Sequence, residues 1–311
     1  MFLVRSLNDL PPFPRRTVLA IGNFDGVHRG HQAVLQQVRE RAAAIGATSL
    51  AVTFDPHPLR ILRPAQAPKL ITPLQQKLDL LAAAGIDGVV VVPFTHEFSQ
   101  LSAEAFARDV LLKSLQAAEV HEGDNFRFGH NAGAGLPELI RLGRELGFAV
   151  VAQPVRRVRG LQVSSSIVRR FIAAGDMTTT RALLGRSFSI RSTPVRDRGI
   201  GSRHTVPTIN LAPYHELLPA DGVYVTRMKI GTDIFDAVTN AGNRPTFGDN
   251  AYAIESHLLN FQEIDLTPDT PIELCFFSRI RGEQKFPSPQ ALKEQILKDV
   301  AYARRYLRLV R

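Results

Sequence analysis

Thr17-Val18-Leu19-Ala20-Ile21, running into Gly22-Asn23-Phe24-Asp25-Gly26-Val27-His28-Arg29-Gly30-His31, is the stretch that decides the fold. The first five residues read as a buried strand, and the glycines that follow read as a turn. Beyond the turn, Val34, Leu35, Val38, Ala42 and Ile45 fall at helical spacing, with Gly46 placed to cap the C-terminus. A strand, a glycine-bearing turn and a helix start together make a phosphate site, because free backbone N–H groups and the helix dipole converge there. Gly22, Gly26 and Gly30 leave room for close backbone approach. His28 and His31 are three residues apart and face the same way, so two imidazoles can donate to phosphate oxygens that gain charge during transfer. The pair is less suited to a metal, since no third ligand stands at local metal spacing.

Outward from this stretch, strand-like runs at Ser49–Phe54, Gly88–Val92 and Phe148–Ala152 alternate with helical runs at Leu74–Ala84, Ala103–Leu115 and Ile167–Ala174. The alternation predicts an α/β fold with a doubly wound parallel sheet. After residue 186 the texture changes. Gly222–Lys229, Ile234–Thr239 and Ile254–Leu259 are short β-type runs with turn signals at Asp221-Gly222, Gly248-Asp249-Asn250 and Pro268-Asp269. This half is expected to form a small antiparallel β-barrel closed by a terminal helix over Pro289–Leu309, with Leu292, Ile296, Val300 and Ala303 on one face. The boundary is expected near Gly185–Ser187, giving domains over 1–186 and 187–311.

Composition narrows the class. Among 311 residues, 44% are hydrophobic and 22% charged, a globular profile. Cys275 is the sole cysteine, so no disulfide or cysteine zinc site forms within one chain. Neither a leader pattern at Met1–Arg5 nor an apolar run of about 20 residues occurs, which predicts a cytoplasmic protein with no membrane partner. The net charge of +9 lies mostly in the first 186 residues, with Arg156, Arg157 and Arg159 as the densest group. No basic stripe is interleaved with aromatics, so an anionic small molecule is the expected ligand and nucleic acid is not. The string GxxxxGK[ST], the commonest phosphate cradle, is absent.

The string Gly22–His31 carries the HxGH signature of the nucleotidyltransferase superfamily. In its extended form it resembles the prokaryotic bifunctional riboflavin kinase/FMN adenylyltransferase (FAD synthetase) family. Phe54-Asp55-Pro56-His57-Pro58 is similar to that family's FDPHP loop, and Gly123-Asp124-Asn125-Phe126-Arg127-Phe128-Gly129 to its flavin-side loop. Val163-Ser164-Ser165-Ser166-Ile167-Val168-Arg169 is similar to its ISSTxIR segment. The resemblance implies that His28, His31 and Arg169 are catalytic, and that Gly22, Asn23, Phe24, Asp25, Gly30, Ser164, Ser165 and Ser166 contact ATP. It further implies that Phe54, Pro56, His57, Pro58, Asn125, Phe126 and Arg127 contact the flavin. Taken singly, these segments also read as a proline-rich turn, a buried aromatic loop and a helix cap; their order within one domain favours the family.

In the second half, Arg198–Asn210 resembles the kinase segment, a glycine loop leading into PTxN, and Asn243–Gly248 matches a further family segment. The resemblance implies that Gly199, Gly201, Ser202, Arg203, Thr208 and Asn210 bind ATP, with Thr208 and Asn210 holding Mg²⁺ through oxygen donors. Glu255-Ser256-His257-Leu258-Leu259 matches the ExHLL strand, which implies that Glu255 is the base on the riboflavin 5′-hydroxyl. Period two puts Glu255 and His257 on one face, with Ile254 and Leu258 on the other. The loop departs from the family where Ser202 replaces a usual arginine and Thr205 a usual glycine. The implied reactions are phosphorylation of riboflavin to FMN and adenylylation of FMN to FAD, with ATP as co-substrate and no tightly bound cofactor beyond flavin substrate or product. Two alternatives remain open: an adenylyltransferase with an impaired barrel, and another nucleotidyltransferase of the HxGH superfamily.

Overall fold

The computed structural model describes residues 1–13, 15–195, 208–243, 252–260 and 266–310. Gly199, Gly201, Ser202, Arg203, Thr205, the segment 244–248 and the turn at Gly248-Asp249-Asn250 lie outside the described residues. The chain divides into two compact units, Met1–Ser165 and Ser166–Arg311.

The first unit is built on a parallel sheet of β1 (Phe2–Val4), β2 (Thr17–Ile21), β3 (Thr48–Asp55), β4 (Gly88–Pro93), β5 (Ala117–Gly123) and β6 (Ala149–Gln153), in the order β1-β4-β3-β2-β5-β6. All five residues of β2 are buried, as a central strand covered on both faces requires. Leu19 and Ile21 join one core with Leu50, Val52, Phe106 and Leu139. Val18 and Ala20 join another on the opposite face, with Leu35, Val38, Leu78 and Leu81. Helix α1 (Arg29–Ile45) covers the second face and ends at Gly46 with φ 65°, the left-handed cap foreseen from the sequence. Of the run expected as one helix over Ala103–Leu115, residues Phe106–Ser114 are wound as a π-helix after a short α-turn at Ala103–Ala105. Two further strands, β1 and β5, are not foreseen by pattern.

From β2 the chain proceeds to β3 and β4 on one side, then returns to lay β5 and β6 on the other. The reversal point therefore lies between β2 and β5, and a crevice opens at the carboxyl ends of strands where the order reverses. The loops after β2, β3 and β5 all leave from that edge. They are Gly22–His28, Pro56–Pro58 and Asp124–Phe126, three of the segments singled out in the sequence.

The second unit holds β7 (Phe188–Ser192), β8 (Pro194–Val195), β9 (Thr208–Leu211), β10 (Gly222–Ile230), β11 (Asp233–Asn243), β12 (Tyr252–Leu258) and β13 (Ile272–Arg281). They form one antiparallel sheet, ordered β7-β13-β10-β11-β12-β9-β8. One face packs Val223, Val225, Val238 and Phe277 against Ala303 and Leu307 of the terminal helix Pro289–Leu309. That helix buries Asp299, Ala303 and Leu307, whereas Leu292 is 41% exposed. Of the expected face, Ala303 is buried and Val300 packs against this core while Leu292 stands outside it, and the seam also takes in Asp299, whose Oδ2 accepts from Arg281 Nη2 at 2.9 Å. On the other face three fully buried hydroxyls form a chain, Thr226 to Thr239 at 2.7 Å and Thr239 to Ser256 at 2.8 Å. Among the described residues no helix is long and apolar enough to cross a membrane.

Candidate functional site

The loop after β2 is held in an unusual shape. Phe24 has φ 46° and Val27 φ 36°, left-handed values that a side chain, above all a β-branched one, adopts only at a cost of order 1–3 kcal/mol each. Burial offsets this cost, since each is 2% exposed within the core beneath α1. The carboxylate of Asp25, also 2% exposed, accepts from the backbone N–H groups of Ile71 at 3.0 Å and Thr72 at 2.9 Å. Thr72 Oγ1 in turn accepts from the Gly26 N–H at 2.9 Å. Asp25 contributes to the site by strapping this loop to the 70–72 segment.

At the end of the loop His28 becomes the N-cap of α1, and its Nδ1 accepts from the His31 N–H at 3.3 Å. The two imidazoles stack with centroids 3.6 Å apart and planes 16° from parallel, and Phe24 meets His31 edge-on at 5.1 Å. His28 is 5% exposed. Both rings therefore stand at the first turn of α1, where the backbone N–H groups and dipole already favour an anion. Gly30 lies against this pair: a Cβ there would come within 3.2 Å of the His28 ring. Val163 O approaches the same Gly30 position, and Ser165 Oγ donates to Asp25 O at 2.8 Å. The serine segment and the HxGH loop are thus joined. Arg169 lies in the helix Ser165–Ala173, in the second unit.

At the end of β3, His57 Nδ1 accepts from the Leu59 N–H at 3.2 Å and caps the helix Pro58–Leu62. Phe54 begins a continuous chain of ring contacts through Phe98, Phe106 and Phe128 to Phe126, with successive centroids 5.4 to 6.3 Å apart. This aromatic band joins the FDPHP segment to the loop after β5, which carries the exposed Asn125 and Arg127. Beside it lies an open cavity of about 670 Å³, lined among others by Arg127, Gly129, His130, Gly135 and Glu138.

Two buried ionisable groups near this edge were not anticipated. Glu122, at the end of β5, is 6% exposed, and its Oε1 accepts from the Ile21 N–H at 2.6 Å, extending the junction of β2 and β5. Burial pushes its carboxyl well above the usual range. Lys77 is 7% exposed in the helix Leu74–Ala83, and burial lowers its ammonium to about 8 despite the nearby Asp25 and Asp55. The sequence held a sign of Lys77: it stands among Leu74, Leu78 and Leu81 on the apolar stripe of that helix.

In the second unit, strand register assembles the other group. Thr208 lies opposite His257 and Asn210 opposite Glu255 across β9 and β12, and Asn240 of β11 faces Glu255 from the other side. Directly opposed residues share a face, so Thr208, Asn210, Glu255, His257 and Asn240 form one polar patch. Ile254, Ser256 and Leu258 are buried on the other face, as period two requires. Asn240 is a member of the patch that the motifs did not include. Among the described residues no cluster of three or more His, Cys, Asp or Glu side chains is placed to hold a metal. The Thr208 hydroxyl and Asn210 amide are hard oxygen donors of the kind Mg²⁺ takes alongside phosphate oxygens.

Comparison with known proteins covers both units. Residues 10–167 match the family model for FAD synthetase, and residues 184–307 that for riboflavin kinase. The chain is 37% identical over 305 residues to a bifunctional riboflavin kinase/FMN adenylyltransferase of Pseudomonas fluorescens, covering 98% of this chain and 97% of that one. It is 34% identical over 313 residues to the protein of the same description from Escherichia coli (strain K12), covering 100% and 99%. A solved structure described as a macrolide-efflux protein from Streptococcus pneumoniae superposes with a TM-score of 0.86 at 24% identity, over 97% of this chain and 98% of that one. That likeness shows the fold alone. With a family model on each half and full-length relatives carrying both, the chain belongs to the bifunctional riboflavin kinase/FMN adenylyltransferase family.

Proposed function

We propose that the chain phosphorylates riboflavin to FMN and adenylylates FMN to FAD, with ATP as co-substrate for both steps, in the cytoplasm. The observation that carries this reading is the stacked His28–His31 pair at the first turn of α1, beside the strand-order reversal, in a chain whose second half presents Glu255 in register with Asn210. The functional boundary is proposed at 186/187, three residues into the riboflavin kinase match that begins at residue 184. The partners are riboflavin, FMN and ATP, without nucleic acid or membrane.

In the adenylyl transfer a phosphate oxygen of FMN attacks the α-phosphorus of ATP, and the bond to the β-phosphate oxygen breaks to release pyrophosphate. A phosphate monoester is already a nucleophile, so the protein's work is positioning and stabilisation of charge. His28, His31 and Arg169 stabilise the transferring phosphoryl oxygens together with the α1 N-terminus; Gly22, Asn23, Phe24, Asp25, Gly30 and Ser164–Ser166 shape the ATP side. Phe54, Pro56, His57, Pro58, Asn125, Phe126 and Arg127 form the flavin side, consistent with the aromatic band between their loops.

In the kinase step Glu255 takes the proton of the ribityl 5′-hydroxyl as its oxygen attacks the γ-phosphorus, and ADP departs. Thr208 and Asn210 hold the nucleotide and would hold Mg²⁺, which supplies neutralisation of triphosphate charge. Incubation with riboflavin and MgATP, followed by chromatographic separation of flavins, tests the whole reading: FMN rises first and FAD follows. Conversion of added FMN to FAD with no FMN made from riboflavin reduces the protein to an adenylyltransferase.

A further inference from the structure

Lys77 stands outside every motif, yet its ammonium lies between the two loops that the adenylyltransferase reading assigns to ATP and to flavin. Nζ donates to Thr53 Oγ1 at 2.9 Å, to Asn23 O at 3.2 Å and to Phe54 O at 3.4 Å. Asn23 belongs to the loop after β2, while Thr53 and Phe54 lie at the end of β3. The β2–β3 pairing stops at Ile21 opposite Val52, followed by one bond from the Gly22 N–H to Val52 O at 2.9 Å. Beyond that point backbone pairing ends; Thr53 Oγ1 donates to Asn23 O at 3.3 Å across the gap, and Lys77 Nζ binds both of those oxygens. A small closed cavity beside it is lined by Asn23, Asp25, Phe54, Asp55 and His57.

An ammonium has three N–H donors, and here three oxygens receive them; a neutral amine has two donors and a lone pair. Loss of the proton therefore turns one of the three oxygens toward a lone pair and weakens the other two bonds, which are no longer charge-assisted. A methionine or any uncharged side chain fails in the same way.

We propose that Lys77, as an ammonium, is a positioning residue that locks the ATP-side loop to the flavin-side loop, and that FMN adenylylation requires this charged state. The proposal rests on the adenylyltransferase reading of those loops. The titratable groups facing Lys77 across the cavity are Asp25, Asp55 and His57; the two carboxylates favour its charged form, and burial opposes it, lowering its pKa to about 8. The lock accordingly opens on the alkaline side, within reach of assay.

The test uses the full chain and two assays on one preparation, FMN to FAD and riboflavin to FMN, from pH 6.5 to about 9.5. The unmodified protein should lose kcat/KM for FAD formation with a midpoint near pH 8, while FMN formation does not follow that curve. Lys77→Met should lower FAD formation roughly ten- to hundredfold and abolish the alkaline limb, leaving FMN formation unchanged. An unmodified protein without the limb, a limb that persists in Lys77→Met, or a Lys77→Met protein with normal FAD formation overturns the proposal. Should Lys77→Met fail to fold, the profile of the unmodified protein decides alone. His28→Ala separates the two layers: if it abolishes FAD formation while Lys77→Met does not, this inference fails and the site reading stands; if neither matters, the site reading fails.

Discussion

Gly30→Ala isolates the placement of His28 from the stability of the helix that carries it. Gly30 is the second residue of α1, and a Cβ built on it lies 3.2 Å from both Cε1 and Nδ1 of the His28 ring. Ordinary carbon contacts sit at about 3.5–4.0 Å, so the imidazole must yield by a few tenths of an ångström. It is restrained on two sides, by the stack on His31 at 3.6 Å and by the cap bond to the His31 N–H at 3.3 Å. Alanine is worth about 1 kcal/mol over glycine inside a helix. Weakening the cap takes back about 0.5–2 kcal/mol. The two nearly cancel, and the melting temperature should move by only a few degrees. Catalysis has no such compensation. A misplacement of about 1 Å costs on the order of a hundredfold, so a few tenths should lower kcat for FAD formation roughly three- to tenfold. The assay is FAD formation from FMN and MgATP, with riboflavin phosphorylation and thermal unfolding measured on the same sample. Full FAD-forming turnover in a protein of unchanged melting temperature would refute the argument that His28 works from this fixed position.

Other outcomes follow from the two sites and from one buried acid. His28→Ala or His31→Ala should each cut the turnover of FAD formation by about 10²–10³ and leave riboflavin phosphorylation near normal; equal loss in both assays counts against the assignment. Glu255→Gln keeps size and hydrogen-bonding reach but removes the base, so FMN formation should fall by about 10²–10⁴ while added FMN is still converted to FAD. Glu122 has its carboxyl raised by burial, so the native state holds its proton to higher pH than the unfolded chain does. Its contribution is fully present at acid pH and lost as pH rises through the native value. Glu122→Gln should therefore raise the melting temperature at pH 8 relative to the parent and change it little near pH 4; an equal shift at both would show that ionisation is not the cause.

Much of the first unit was legible because β2 and α1 announce themselves by apolar periodicity and glycine punctuation. The HxGH segment was legible for the same reason: its chemistry requires residues that sit next to one another in the chain. β5 escaped notice because Ala117–Gly123 carries Glu119, His121 and Glu122, which look unsuited to a buried strand. Each is matched in three dimensions, Glu119 by Arg41 Nε at 2.9 Å, His121 by Gln153 Nε2 at 2.9 Å and Glu122 by a backbone N–H. Those partners come from distant positions, and no local pattern encodes them. Lys77 was hidden likewise, its three acceptors lying 23 to 54 residues earlier. In the second unit, the alternation around Glu255 told which side chains share a face. It could not tell that Asn240 would stand beside them, which only register between strands decides.

The hydroxyl chain through Thr226, Thr239 and Ser256 bears on how that register is chosen while the sheet assembles. Sliding β12 by one residue against β11 would turn its apolar side chains outward, and hydrophobic burial rejects that error strongly. Sliding it by two keeps every apolar residue facing inward, so burial alone discriminates poorly. Ser256 would then lie opposite Ala237 or Ala241 instead of Thr239, leaving its fully buried hydroxyl without that partner at about 1–3 kcal/mol, while Thr239 keeps Thr226. Glu255 would face Val238 or Gly242 in place of Asn240. Three small polar groups with no place in either reaction thus act as a proofreading mark, making the mis-threaded sheet the less stable one before any substrate arrives.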